Sequence, residues 1–136
     1  IVQNKKLENH VEFLGSMQIK EIAKYHNYAD IFVMPSLATK TGTEALGLSM
    51  LEAMSSGCAI VGTNIGGIPF AIKDGYNGVL VKQKDFHELS SAVITLLNDG
   101  KRSGELGKNA AKFVRKRYSW EKVSMEFLKI YKQLLK

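Results

Sequence analysis

Glu44 and Glu52 stand eight residues apart, with Gly47 between them. In an unbroken helix that spacing is about 12 Å, at about 1.5 Å per residue. The paired carboxylates of a glycosidase lie about 5–10 Å apart across one bond, so the spacing fits a single acid/base pair poorly. It suits two grips on a long ligand, with a diphosphate between them. Glu44 comes just before an apolar helical run, and Gly47 falls in its first turn. The first N–H groups of a helix have no internal partner and, with the helix dipole, make a ready anion site. Gly47 lets a phosphate approach the backbone closely. A carboxylate at Glu44 would repel that phosphate, so its use there is to accept from neutral hydroxyls of the same ligand. Glu52 lies among Leu46, Leu48, Met50, Leu51, Ala53 and Met54. This pattern predicts a buried carboxylate, which is costly unless hydrogen-bonded, and ribose hydroxyls would satisfy it.

The elements that must position these residues alternate along the chain. Residues 11–14 read as a short strand closed by Gly15, and residues 18–29 as a helix striped by Ile19, Ile22, Ala23 and Tyr25. Residues 30–34 form an apolar run stopped by Pro35, which predicts a buried parallel strand. A polar loop with Thr39, Lys40, Thr41 and Gly42 leads to a helix over 46–56 that ends at Gly57. Residues 59–63 predict a second strand, Gly66-Gly67 a turn with Pro69 opening a short helix, residues 74–78 a tight turn, and residues 79–81 a third strand. Asp85 caps a helix to Asn98, and two more helices are predicted near 104–117 and 119–135. This alternation implies an α/β fold, a Rossmann-like open parallel sheet flanked by helices. Such sheets bind ligands at the carboxyl ends of their strands, where the loop over 36–44 and the Gly66-Gly67 turn both fall.

Composition bounds the rest. With 136 residues, 45% hydrophobic and 24% charged, the chain suits one domain with a real core. No apolar run approaches the roughly 18 residues of a membrane span, and no secretory signal opens the chain. It begins at Ile1 rather than Met and runs at once into Lys5, Lys6 and Glu8, as a piece of something longer would. The lone Cys58 cannot staple a fold and suits a reducing cytoplasm; its apolar strand context predicts a buried structural thiol. The net charge of +6 implies an anionic partner without choosing one. The Gly-x-Gly-x-x-Gly fingerprint of dinucleotide sites and the Gly-Lys-Ser/Thr of P-loops are both absent. No aromatic-basic interleaving points to nucleic acid. His10, His26 and His87 have no metal-ligand spacing.

The segments Pro35-Ser36, Glu44 through Gly57, Val61 through Pro69, and Asp74 through Val81, with the helix entry Tyr118-Ser119-Trp120, resemble the donor domain of family 4 (group 1) glycosyltransferases. The resemblance covers nearly the whole chain, and its core is a Glu-x7-Glu motif. It implies the incomplete C-terminal half of a GT-B fold, with residues 1–136 as a nucleotide-sugar donor-binding domain truncated at its N-terminal side and lacking the acceptor domain. It implies a retaining transferase that moves a sugar from a nucleotide diphosphate to an acceptor without a metal or other cofactor, and a fragment that is inactive alone. By the same resemblance Glu44 meets hydroxyls of the transferred sugar and Glu52 the ribose. The backbone at Leu46, Gly47 and Leu48 meets the diphosphate, Gly15-Ser16-Met17 borders the base, and Gly66-Gly67 borders the cleft. The chain departs from the pattern at Ala45 and Leu46, where glycine and an aromatic are common, and at Phe70, where glutamate is common. The basic pair that neutralises the leaving diphosphate would precede Ile1.

Lys101, Lys108, Lys112 and Arg115 form a helical stripe that is read first as a solvated face and second as a contact to an anionic membrane, where lipid-linked acceptors lie. Trp120, Val123, Phe127, Ile130 or Tyr131, and Leu134 form an apolar stripe expected in a core or domain interface. A stand-alone flavodoxin-like interaction module is the rival to a transferase.

Overall fold

Strand–helix alternation is realised as a three-stranded parallel sheet in the computed structural model, which describes residues 1–135. In chain order the elements are α1 (Ile19–Tyr28), β1 (Ile31–Met34), α2 (Leu48–Ser56), β2 (Ala59–Thr63), α3 (Ile68–Ala71), β3 (Val79–Val81), α4 (Phe86–Asn98), α5 (Gly100–Arg117) and α6 (Trp120–Leu134). The sheet order is β1-β2-β3, with Ile31 opposite Ala59 and Val61 opposite Val79.

The middle strand β2 is buried at every residue, as its unbroken apolar run requires. The edge strand β1 is only half-buried and exposes Val33, so the expectation of a fully buried strand holds for β2 and not for β1. Residues 11–14 are not a strand. They make no ladder to a neighbour among the described residues, and Phe13 stays exposed; a strand needs a partner for its backbone groups. The apolar stripe of α1 also stays outside, with Ile19 and Tyr25 exposed and only His26 buried.

One side of the sheet carries a core of Met50, Ala53 and Met54 from α2 with Ile60, Ile68, Ile72, Ala110 and Val114. A second cluster joins Ala59, Val61 and Val81 to Leu96 and Leu106. Helix α5 fits closely because Gly107 has no side chain: a Cβ there would overlap the Gly57 carbonyl. Asn77 is fully buried, and its amide closes the predicted turn by accepting from the Lys73 N–H at 2.6 Å and donating to the Ala71 carbonyl at 3.0 Å. No helix among the described residues is long and apolar enough to cross a membrane.

Candidate functional site

The loops at the carboxyl ends of all three strands are tied together. Thr63, which ends β2, donates its hydroxyl to the Ser36 carbonyl at 2.7 Å. The Asn64 N–H bonds the Val81 carbonyl at 2.8 Å, and the Ala38 N–H bonds the Gln83 side-chain oxygen at 3.1 Å. The Gly66-Gly67 turn lies directly on the Glu44 loop. The Gly67 N–H donates to the Glu44 carbonyl at 3.0 Å. A Cβ at Gly67 would overlap the Ala45 carbonyl, and one at Gly66 the Glu44 carbonyl. Backbone packs on backbone here, which only glycine permits. The loop over 36–44 and the glycine pair therefore converge on one cleft, as their positions after β1 and β2 predict.

Helix α2 begins at Leu48, four residues after Glu44. Gly47 is its N-cap rather than part of its first turn, with φ at +74°. It is buried, and a Cβ would come within 2.8 Å of the Met34 Sδ and Cε atoms. Chain direction and packing on Met34 account for this glycine, rather than room for a ligand. The first intrahelical bond runs from the Leu51 N–H to the Gly47 carbonyl at 3.1 Å. The N–H groups of Leu48, Ser49 and Met50 have no hydrogen-bond partner among the described residues, and no side chain caps the helix. By contrast Asp85, Asp99 and Ser119 cap α4, α5 and α6. An uncapped N-terminus at the carboxyl end of a parallel sheet holds free donors and the positive end of the dipole toward an anion.

Glu44 is half-buried and lines an open depression of about 580 Å³ with Ser36, Thr39, Thr41 and Thr43. A carboxylate among hydroxyls suits a ligand that is itself rich in hydroxyls. The sequence places all four hydroxyl residues in the loop over 36–44 at the strand ends, but gives none of them a role in the site.

Glu52 corrects the sequence reading. It is exposed, not buried. It lies one turn beyond Leu48, itself 72% exposed, while Met50, Leu51, Ala53 and Met54 fill the inward side. Glu52 thus needs no ligand to satisfy it. Because the helix starts only at Leu48, the fully helical spacing from Glu44 does not apply either. Leu46 packs half-buried against the core.

Gly15, at φ +67°, with Ser16 and Met17 forms the approach to α1. No hydrogen bond joins this approach to the Glu44 loop or α2 among the described residues.

Cys58 is buried and donates its thiol to the His26 carbonyl at 2.9 Å. Burial pushes the thiol above its ordinary range, with Asp30 adding to this against its own backbone hydrogen bond. It is structural, as its context predicts. His26 is buried edge-on to Phe32 at 5.5 Å between ring centroids. No group of three or more potential metal ligands is gathered among the described residues.

Residues 1–113 match the family model described as glycosyl transferases group 1. An uncharacterized glycosyltransferase of Methanocaldococcus jannaschii is 30% identical over 96% of this chain and 38% of its own length. The sucrose-phosphate synthase of Thermosynechococcus elongatus superposes with a TM-score of 0.89 at 30% identity, over 98% of this chain and 32% of that one. The C-terminal domain of a glycosyl transferase group 1 protein from Francisella tularensis gives 0.77 at 30% identity, over 88% of this chain and 59% of that one. The chain thus spans about a third of the full-length relatives it matches.

Proposed function

Because the chain belongs to the group 1 glycosyl transferases and has the α/β fold of a GT-B C-terminal domain, we propose that its cleft holds a nucleotide-diphosphate-sugar for retaining transfer to an acceptor. The observation that carries this reading is the uncapped α2 N-terminus lying beside the hydroxyl-lined depression of Glu44. One feature suits a diphosphate and the other a sugar, and they adjoin along the chain through Ala45 and Leu46.

In the proposed reaction the bond from the sugar's anomeric carbon to the diphosphate oxygen breaks. A bond to the acceptor oxygen forms on the same face, the nucleoside diphosphate departs with the bonding electron pair, and its oxygen takes up the proton of the acceptor hydroxyl. The N–H groups of Leu48, Ser49 and Met50 stabilise charge growing on the diphosphate. Glu44 holds hydroxyls of the sugar, Glu52 the ribose, and the Gly15-Ser16-Met17 approach borders the base. Gly66-Gly67 holds the Glu44 backbone in place. No metal enters this scheme, and the acceptor domain and the basic side chains facing the diphosphate belong to a longer protein.

Calorimetric titration of the chain with UDP, GDP and their sugar conjugates tests the reading. Saturable binding of one nucleotide series is expected. Failure of every nucleotide to saturate would favour the flavodoxin-like interaction module. The anomeric configuration of the product, read by NMR with a full-length enzyme, tests retention.

A further inference from the structure

The excess charge of this chain sits on one helix. Helix α5 holds Lys101, Arg102, Lys108, Lys112, Arg115, Lys116 and Arg117 against the single acid Glu105. That is seven of the 19 Lys and Arg and one of the 13 Asp and Glu, which leaves 12 of each elsewhere. The rest of the chain is formally neutral, and α5 alone carries the net +6.

Part of this charge has local work. Arg102 bonds the Gly75 carbonyl and pairs with Glu105, and Arg115 donates to the Ser55 carbonyl at 3.3 Å. Cations at 115–117 also suit the negative end of the helix dipole. The dipole does not explain Lys101, which stands at the wrong end, or Lys108 and Lys112. At 100° per residue, Lys101, Lys108, Lys112 and Lys116 share the side opposite the buried Ser103, Leu106, Ala110 and Val114. They run about 22 Å at about 1.5 Å per residue. None of the four takes part in an ion pair among the described residues. Beside them a cavity of about 650 Å³ gathers Lys73 and Lys122 from other elements around Phe113 and Tyr76. The Lys73 Nζ and the Arg117 guanidinium carbon lie 5.7 and 5.6 Å from the Phe113 ring centre.

We propose that the outer face of α5, with Lys73, docks the chain on an anionic lipid bilayer; Lys122 is already paired with Glu126 at 3.2 Å. The row is too long for one phosphate group. It lies on a convex helix face, whereas single-stranded nucleic acid is held in a basic groove. The half-exposed Tyr76, which lines the same cavity, is of a residue type that favours a bilayer interface. Aligned lysines meet a plane of acidic headgroups, each contributing about five-fold in partition at about 1 kcal/mol per cation. This inference stands apart from the donor cleft and does not depend on it.

Sedimentation of the chain with phosphatidylcholine vesicles, with and without about 30 mol% phosphatidylglycerol, tests it at low salt, where the surface charge acts furthest. Binding to the anionic vesicles and its loss in high salt are expected; the neutral vesicles measure what exposed apolar residues contribute alone. The triple change Lys73→Gln, Lys112→Gln, Lys116→Gln should lower the partition roughly 100-fold, and Lys101→Gln with Lys108→Gln should lower it independently. A charge-matched control, Lys5→Gln, Lys20→Gln, Lys24→Gln, should stay within about two-fold of the parent if the face rather than net charge does the binding. Equal binding to neutral vesicles, equal loss in the control, or tighter binding of a short single-stranded RNA than of anionic vesicles would overturn the proposal.

Discussion

Glu44 and Glu52 face different surroundings, and that difference separates their expected effects. Glu44 sits half-buried among hydroxyls before the α2 N-terminus, whereas Glu52 stands in the open on the outer side of the helix. Glu52→Ala should weaken a nucleoside diphosphate and its sugar conjugate alike, by about 10-fold for one hydrogen bond to a charged acceptor at about 1.5 kcal/mol. It should leave the melting temperature unchanged or slightly raised, since an exposed helical position gains from alanine. Glu44→Ala should spare the bare diphosphate and weaken only the sugar conjugate. Calorimetry with both variants and both ligands decides it: equal loss of both ligands in the Glu44 variant would mean the two residues do not divide the donor. Residue types and order made this pair legible in the sequence. Burial was not legible, because apolar neighbours in sequence do not share a face. Leu48, one turn before Glu52, points outward with it, while Met50 and Met54 point in.

The elements were easier to read than their environments. The three strands and six helices match expected segments, although α2 begins at Leu48 rather than at 46 and α5 at Gly100 rather than near 104, and Asp85 caps α4 through the Glu88 N–H at 2.9 Å. The segment over 11–14 failed because an apolar tetrad says nothing about whether a neighbouring strand exists to pair with it. Close approach between elements was equally hidden: nothing local marks Gly107 as different from Gly104, four residues from Gly100 in the same helix. The structure separates them. A Cβ at Gly104 meets nothing within 4 Å, whereas at Gly107 it overlaps the Gly57 carbonyl. Gly104→Ala should therefore stabilise the chain by up to about 1 kcal/mol, the ordinary gain of alanine over glycine in a helix. Gly107→Ala should destabilise it by about 1–3 kcal/mol, as α5 is pushed off β2 and α2. Urea unfolding of the two variants reads both signs, and a gain at Gly107 would show that α5 can shift without cost.

At the scale of the molecule, parallel topology assembles the candidate site, since the loops after the three strands gather at the carboxyl end of the sheet. The same scale exposes what the chain does not cover by itself. The stripe of Trp120, Phe127 and Tyr131 reads in the sequence as core or domain interface, yet no residue of α6 is buried. Trp120 is 88% exposed, and the stripe lines an open apolar groove of about 520 Å³ with Val123 and Leu128. A continuous apolar face of this kind marks a surface made to be covered, and the relatives are about three times longer than this chain. In the isolated chain that face has only a second copy to pair with. Sedimentation velocity should therefore show self-association that rises with concentration and persists in high salt, since apolar contacts are not screened. Phe127→Ser with Tyr131→Ser should shift the chain toward monomer. The thermal midpoint, measured where both forms are monomeric, should move little, because neither side chain contributes to the buried core. A midpoint that fell by several degrees would instead mean that α6 closes onto its own domain, with its apolar face turned inward.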